Sequence, residues 1–255
     1  MGRSHATNGL EAIVPARLSV AQWMACGPGR ETRADWVAWA RGEPVAAETS
    51  RPPVMLPAIL RRRVTPIGQM AFRAATALSV PDEARFIFCS RHGEFQRTLG
   101  ILTALATGEL VSPAEFSLSV HNALAGLLSI AWRNRAGHTT IAASADSFGS
   151  ALSEAAACLI EQPDEPVLLV YYEDRLTAPY DEVADSDETC VALAMLLTAP
   201  RHDASDVILD LVPFAPSAAT ASASGQALAF LRFLLTDAPA EASANEPPER
   251  RWRRG

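Results

Sequence analysis

Residues 139–174 read TTIAASADSFGSALSEAAACLIEQPDEPVLLVYYED. The first six form a short β-branched and apolar run that predicts a strand. From about 148 to 161, Ala151, Leu152, Ala155 and Leu159 fall at helical spacing and predict a helix with those residues inward. PVLLVYYED (166–174) then returns to strand. Its unbroken apolar centre is typical of a strand covered on both faces. Strand, helix and strand in succession predict an α/β layer with a largely parallel sheet and helices on both sides.

Upstream, RFIFCS (85–90) predicts a further buried strand. A helix follows over about 94–106, with Phe95, Leu99, Leu102 and Leu105 recurring on one face. SPAE (112–115) is a helix start, in which Ser112 can cap, Pro113 suits the first position and Glu115 can reach back to the cap amide. That helix is expected to run to about 133, with a break near His121. Residues 67–79 predict a helix with Ile67, Met70, Ala71, Ala74 and Leu78 on one face. The prolines between 43 and 66 predict extended or looped chain. Residues 10–42 read as an irregular entry holding a strand, a short helix and a Trp-rich helical turn. Downstream, CVALAMLLT (190–198) and VILDLVPF (207–214) predict two strands joined as a hairpin by PRHDAS. A loop over 215–224 and a final helix over 226–235 close a domain spanning 1–236. From residue 237 to 255 few side chains can pack, which predicts a disordered tail.

The 255 residues suffice for one domain with a proper core, and their hydrophobic and charged fractions are those of a globular protein. A net charge of −7 argues against nucleic-acid binding and against lone docking of an acidic carrier protein. Every side-chain cation other than histidine is Arg. The absence of Lys excludes a Schiff-base lysine and the phosphate lysine of a P-loop. The four cysteines, Cys26, Cys89, Cys158 and Cys190, form no C-x-x-C pair, so neither a zinc site nor a disulfide framework is expected. No cofactor or metal is implied. No signal peptide or membrane-spanning run is recognisable, and the expected location is cytoplasmic.

The ordinary catalytic signatures are missing: no G-x-S-x-G elbow, no G-x-G-x-x-G after a strand, and no H-x-x-x-H pair. His121 and Asn122, in SVHNA (119–123), are either a catalytic imidazole with its neighbour or a buried polar pair fixing how helices or subunits meet. SRHGEF (90–95) lies where a strand end meets a helix start, the usual ligand end of an α/β sheet. It is either an anion cradle or a plain connection with Arg91 paired. RRR (61–63) is a docking patch or a solvated run, and RRWRR (250–254) reads as a solvated end.

SRHGEFQRTLGILTALATGELVSPAEFSLSVHNALAGLLSIAW (90–132), TTIAASADSFGSALSEAA (139–156) and RRRVTPIGQMAF (61–72) together resemble the β-ketoacyl synthase N-terminal domain. More narrowly, they resemble the short chain length factors of aryl polyene and related type II polyketide systems, over roughly residues 12–214. The resemblance implies a thiolase-like half. It places Ala145 where a working synthase carries its nucleophilic cysteine, with Ser144 and Ser147 the nearest hydroxyls. It also implies that the half bearing two catalytic histidines is missing, and with it the enolate stabilisers of a condensing enzyme. A non-catalytic subunit is therefore expected, with a full-length β-ketoacyl synthase as heterodimer partner and an acyl carrier protein engaged through the complex. Strand 139–144 would be the joining edge. Phe116, His121, Asn122, Ile141, Ala145 and Phe148 would lie at the interface. Phe95, Thr98 and Leu102 would line an acyl pocket there, or else be ordinary core. The alternatives are a stand-alone acyltransferase or hydrolase using Ser144 or Ser147 with a histidine, and a homodimeric scaffold.

Overall fold

The computed structural model describes residues 14–45, 57–184, 189–202, 206–211, 223–236 and 251–254. Seven strands among them form one sheet: β1 (Val14–Cys26), β2 (Arg85–Cys89), β3 (His138–Ile141), β4 (Val167–Glu173), β5 (Val191–Thr198), β6 (Asp206–Leu211) and β7 (Arg251–Arg254). Their order across the sheet is β3-β2-β4-β5-β1-β6-β7. The helices are α1 (Arg33–Arg41), α2 (Ala58–Arg61), α3 (Pro66–Thr76), α4 (Phe95–Thr107), α5 (Pro113–Leu118), α6 (Ala123–Trp132), α7 (Ser147–Glu161) and α8 (Ala223–Leu235).

The strands are apolar on both sides because both faces are covered. Ile87 and Cys89 of β2, with Leu169 and Tyr171 of β4, face a core completed by α7, α8 and Trp36 of α1. The intervening Phe86, Phe88, Leu168, Val170 and Tyr172 face a second core built with α3 and α6. Alternation along the strand therefore divides one apolar run between two cores. Ala151, Leu152, Ala155 and Leu159 of α7 are buried, as their spacing predicts.

The thiolase-like α/β layering is present, with a mixed sheet. Pairing is parallel across β3-β2-β4 and antiparallel from β4 onward. The predicted hairpin of 190–198 with 207–214 does not form. β1 lies between the two strands and pairs with both, so that Ser19 stands opposite Thr198 on one side and Asp206 on the other. The irregular entry expected over 10–42 is instead this thirteen-residue strand and α1. α1 opens with a capping box: Asp35 N donates to Thr32 Oγ1, and the Asp35 carboxylate accepts from Thr32 N. Gly42, at φ 71°, closes it in the left-handed conformation.

The strand expected over 139–144 stops at Ile141, and a 3-10 turn (Ser144–Asp146) leads into α7. The helix expected from 112 to 133 is two, α5 and α6, parted by residues 119–122 around His121. The expectation of an unpacked tail fails for Arg251–Arg254, which pair with β6, and residues 237–250 lie outside the described residues. No described helix is long and apolar enough to cross a membrane.

Candidate functional site

The turn between β3 and α7 is built by its own hydroxyl. Ser147 Oγ donates to Ser144 O at 2.7 Å and accepts from Ala143 N at 2.9 Å. Ser147 is fully buried. Both of its roles are taken by backbone, so it has no proton path to a base. Ser144 is exposed, at φ 54°, a left-handed conformation uncommon for a residue with a Cβ. Ala145 follows, half-buried, at the mouth of the helix. Asp146 sits before the first turn of α7, where a carboxylate complements the helix dipole. Its Oδ2 accepts from Ser150 Oγ and its Oδ1 from Gln226 Nε2, each at 3.0 Å. Gln226 Oε1 in turn accepts from Gly149 N at 2.9 Å, so one α8 amide holds both the turn and the helix start.

The nearest residue types for nucleophilic chemistry are placed elsewhere. Cys89 is fully buried in β2, and burial pushes its thiol well above the ordinary range. Burial likewise raises Cys26 to about 11 and Cys190 to about 12. Cys158 lies in the last turns of α7, its sulfur 3.6 Å from Arg85 Nη1. Among the described residues no histidine hydrogen-bonds to Ser144 or Ser147.

The SRHGEF turn is a cradle filled from within. Glu173, fully buried at the end of β4, accepts from Arg91 N at 2.6 Å, His92 N at 3.1 Å and Ser90 Oγ at 3.4 Å. Ser90 Oγ accepts from Gly93 N at 2.7 Å. An external anion would have to displace that carboxylate, so the cradle reading gives way to a structural one. Gly93 has φ 60°, and a Cβ there would lie 3.1 Å from the His121 ring. His121 Nε2 is 3.4 Å from Arg91 O, and Tyr172 OH donates to His121 O at 3.4 Å. His121 thus fixes the approach of the 119–122 break to the SRHG turn, while Asn122 is exposed.

A second cluster explains the GEFQR spacing. Thr65 Oγ1 donates to Glu94 Oε1 at 2.8 Å, and Arg97 Nε lies 3.4 Å from Glu94 Oε2. Arg97 also pairs with Glu115 and donates to Arg63 O at 2.7 Å. Glu115 therefore pairs with Arg97, and Ser112 Oγ accepts from Glu115 N as expected. Burial raises the Glu94 carboxyl above the ordinary carboxylate range, against the lowering effect of Thr65 and Arg97. The clamp joins the 61–65 turn, α4 and α5 into one surface. Arg61, Arg62 and Arg63 are exposed, and none forms an ion pair with a described residue.

That surface is apolar. α4 has no fully buried residue, contrary to an ordinary core helix. Phe95 is half-buried, its ring perpendicular to Tyr180 at 5.5 Å and edge-on to His92 at 6.3 Å. Thr98 is half-buried and Leu102 is exposed. Leu105, Leu110, Phe116 and Val120 extend the same exposure, with Phe116 at 62%. Ile141 packs partly against this chain's own core. Phe148 departs from its expected place at an interface. It is fully buried between Tyr171 and Phe230, at 5.7 and 5.3 Å.

The spacing of Glu94 and Arg97 was visible in the sequence as an i, i+3 pair. Glu173, Gln226 and Thr65 reach the site from distant segments, and no local signal marks them.

Fold and turn together define a thiolase-like α/β layer in which Ala145 lies in the 3-10 turn that leads into α7. The sequence matches the family described as beta-ketoacyl synthase, N-terminal domain, over residues 36–253, and the chain belongs to that family. A solved structure of a ketosynthase (ApeO) in complex with its chain length factor (ApeC) from Xenorhabdus doucetiae contains a similar chain. It matches at 28% identity and TM-score 0.75, over 93% of this chain and 99% of that one. The ishigamide ketosynthase/chain length factor matches at 16% identity and TM-score 0.58, over 76% of this chain and 65% of that one. AntDE:AntF, a type II polyketide acyl-carrier protein in complex with its ketosynthase, matches at 16% identity and TM-score 0.55, over 73% and 63%. The latter two show likeness of fold. Comparison with curated proteins finds no match.

Proposed function

We propose that this chain is a non-catalytic, chain-length-factor-like partner of a full-length β-ketoacyl-(acyl carrier protein) synthase in polyketide or fatty-acid-type, aryl-polyene-like biosynthesis. The observation that carries the reading is Ala145 in the 3-10 turn leading into α7. No thiol stands there, Ser147 is consumed by its turn, and among the described residues Ser144 has no histidine bonded to it. A hydroxyl without an adjacent base is a weak nucleophile, which disfavours the stand-alone hydrolase or acyltransferase. Two further observations support a partner. The matched chain of a ketosynthase–chain length factor complex is covered almost end to end. The α4–α5 surface exposes Leu102, Leu105, Leu110, Phe116 and Val120, an apolar patch of the kind that marks an interface. On this reading Phe95, Thr98 and Leu102 line a pocket shared with the synthase, and the carrier protein docks on the assembled pair.

The test is co-production with a full-length β-ketoacyl synthase of the source organism. A one-to-one complex that condenses malonyl units, with acyl groups found on the synthase cysteine alone by intact mass, is expected. A stable acyl ester on this chain, lost in Ser144→Ala, would overturn the reading in favour of a stand-alone enzyme.

A further inference from the structure

The two ends of the sheet differ. At one end β3 has β2 as its strand partner among the described residues, and its other edge is unpaired. At the other end β6 pairs with β1, and its second edge is taken by β7, with Leu209 opposite Trp252 and Ile208 opposite Arg253. We propose that β7 is an edge block. It occupies the β6 edge and leaves β3 as the one edge, among the described strands of the core sheet, able to take a strand from a second chain.

Side chains seat β7 as firmly as its ladder does. The Trp252 ring lies 5.2 Å from Phe230, edge-on, and 6.5 Å from Phe233. It thereby joins the core that holds α7. Arg254 Nη2 donates to Phe233 O at 3.2 Å and Thr236 O at 2.8 Å, satisfying carbonyls at the end of α8 that a helix leaves unpaired. Its guanidinium also sits 5.5 Å from the Phe233 ring centre. Two adjacent elements, β6 and α8, thus recognise one short segment.

The composition of β7 suits an edge that must go no further. It has four residues, and three of them are arginine. Short, charged end strands are poor templates for another strand, whereas a bare β6 would offer an open ladder. The consequence is a sheet that grows in one direction. This inference does not depend on which protein meets β3, so it stands or falls separately from the partner reading.

The test uses the chain alone. In a Trp252→Ala/Arg254→Ala variant, hydrogen exchange at amides 206–211 should rise tenfold or more. Light scattering should then show an added, concentration-dependent association step above the wild-type mass. Unchanged exchange, or faster exchange with a wild-type mass distribution, would overturn the proposal. Should that variant not fold, Ile208→Cys/Arg253→Cys puts cysteines at positions paired in the β6–β7 register. Cross-linking is expected in the folded chain. The oxidised form should keep its mass in mild urea while the reduced form associates further. Failure to cross-link, or equal mass gain in both forms, would overturn it.

Discussion

The hydroxyl of Ser147 closes its own turn, and that use defines what its removal does. Ser147→Ala removes the hydroxyl partner of the half-buried Ala143 amide, a loss of about 0.5–1.5 kcal/mol. Thermal melting should register it, while acyl loading of a complex with the synthase stays on the synthase cysteine. Ala145→Cys tests the same turn from the other side. A thiol at a helix N-terminus has a depressed pKa, so the variant should be alkylated quickly near pH 8. The native thiols should react slowly because Cys26, Cys89 and Cys158 are buried and Cys190 is half-buried, and burial lifts Cys26 to about 11 and Cys190 to about 12. Intact mass after a short iodoacetamide pulse separates the two cases. Alkylation should come without condensing activity, because among the described residues no histidine hydrogen-bonds to the hydroxyls of this turn. Glu94 gives a pH dependence. Its folded pKa is raised by burial, so the folded state holds the proton more tightly than the unfolded chain. Its contribution is therefore fully present below the ordinary value of 4.5 and falls as pH rises through the raised value. Chemical denaturation across that window should show a declining stability in the native chain and a flatter profile in Glu94→Gln.

At the level of elements, α4 and α5 form one clamped, exposed surface, and substitutions should divide by burial. Phe116→Asp places a charge on a side chain that is 62% exposed, so the chain should fold and the complex with the synthase should fail in size-exclusion chromatography. Ile141→Asp should unfold the chain instead, since Ile141 packs against its own core. Phe95→Ala should lengthen products if α4 lines the pocket. Its folding cost should fall below the roughly 3–5 kcal/mol of a fully buried Phe, because Phe95 is only half-buried. The elements were legible in the sequence where their cause was local. The spacing in α7, the Ser112–Pro113 start of α5 and the double-faced run of β4 are all set by neighbours within a turn or a strand. What was not legible is set by distance. The place of β1 depends on strands far along the chain, and the apparent hairpin of 190–198 with 207–214 lacked only the strand that separates them. β7 was missed because RWRR is polar by composition, and its packing depends on Trp252 meeting Phe230. At the site, the resemblance drew attention to Ala145 and the hydroxyls beside it. The bonds that occupy Ser147 and the Glu173 cradle were not legible.

On the scale of the whole molecule, an unpaired β3 edge and an apolar α4–α5 surface should make the isolated chain poorly soluble or self-associated, and co-production should convert it to a one-to-one complex. The buried interface should exceed about 2,000 Å², as expected of obligate partners. Analytical ultracentrifugation of the two preparations checks the first point, and the structure of the complex checks the second. The central place of β1 has a consequence in time. It leaves the ribosome ahead of both strands beside it, β5 and β6, which follow after roughly 170 residues of further chain. At about 5–20 residues per second, that is an interval of some ten to thirty seconds in which a thirteen-residue strand waits without its ladder. Nascent chains of this protein should therefore engage holding chaperones until Thr198 has emerged, and slowing translation should lower the folded yield.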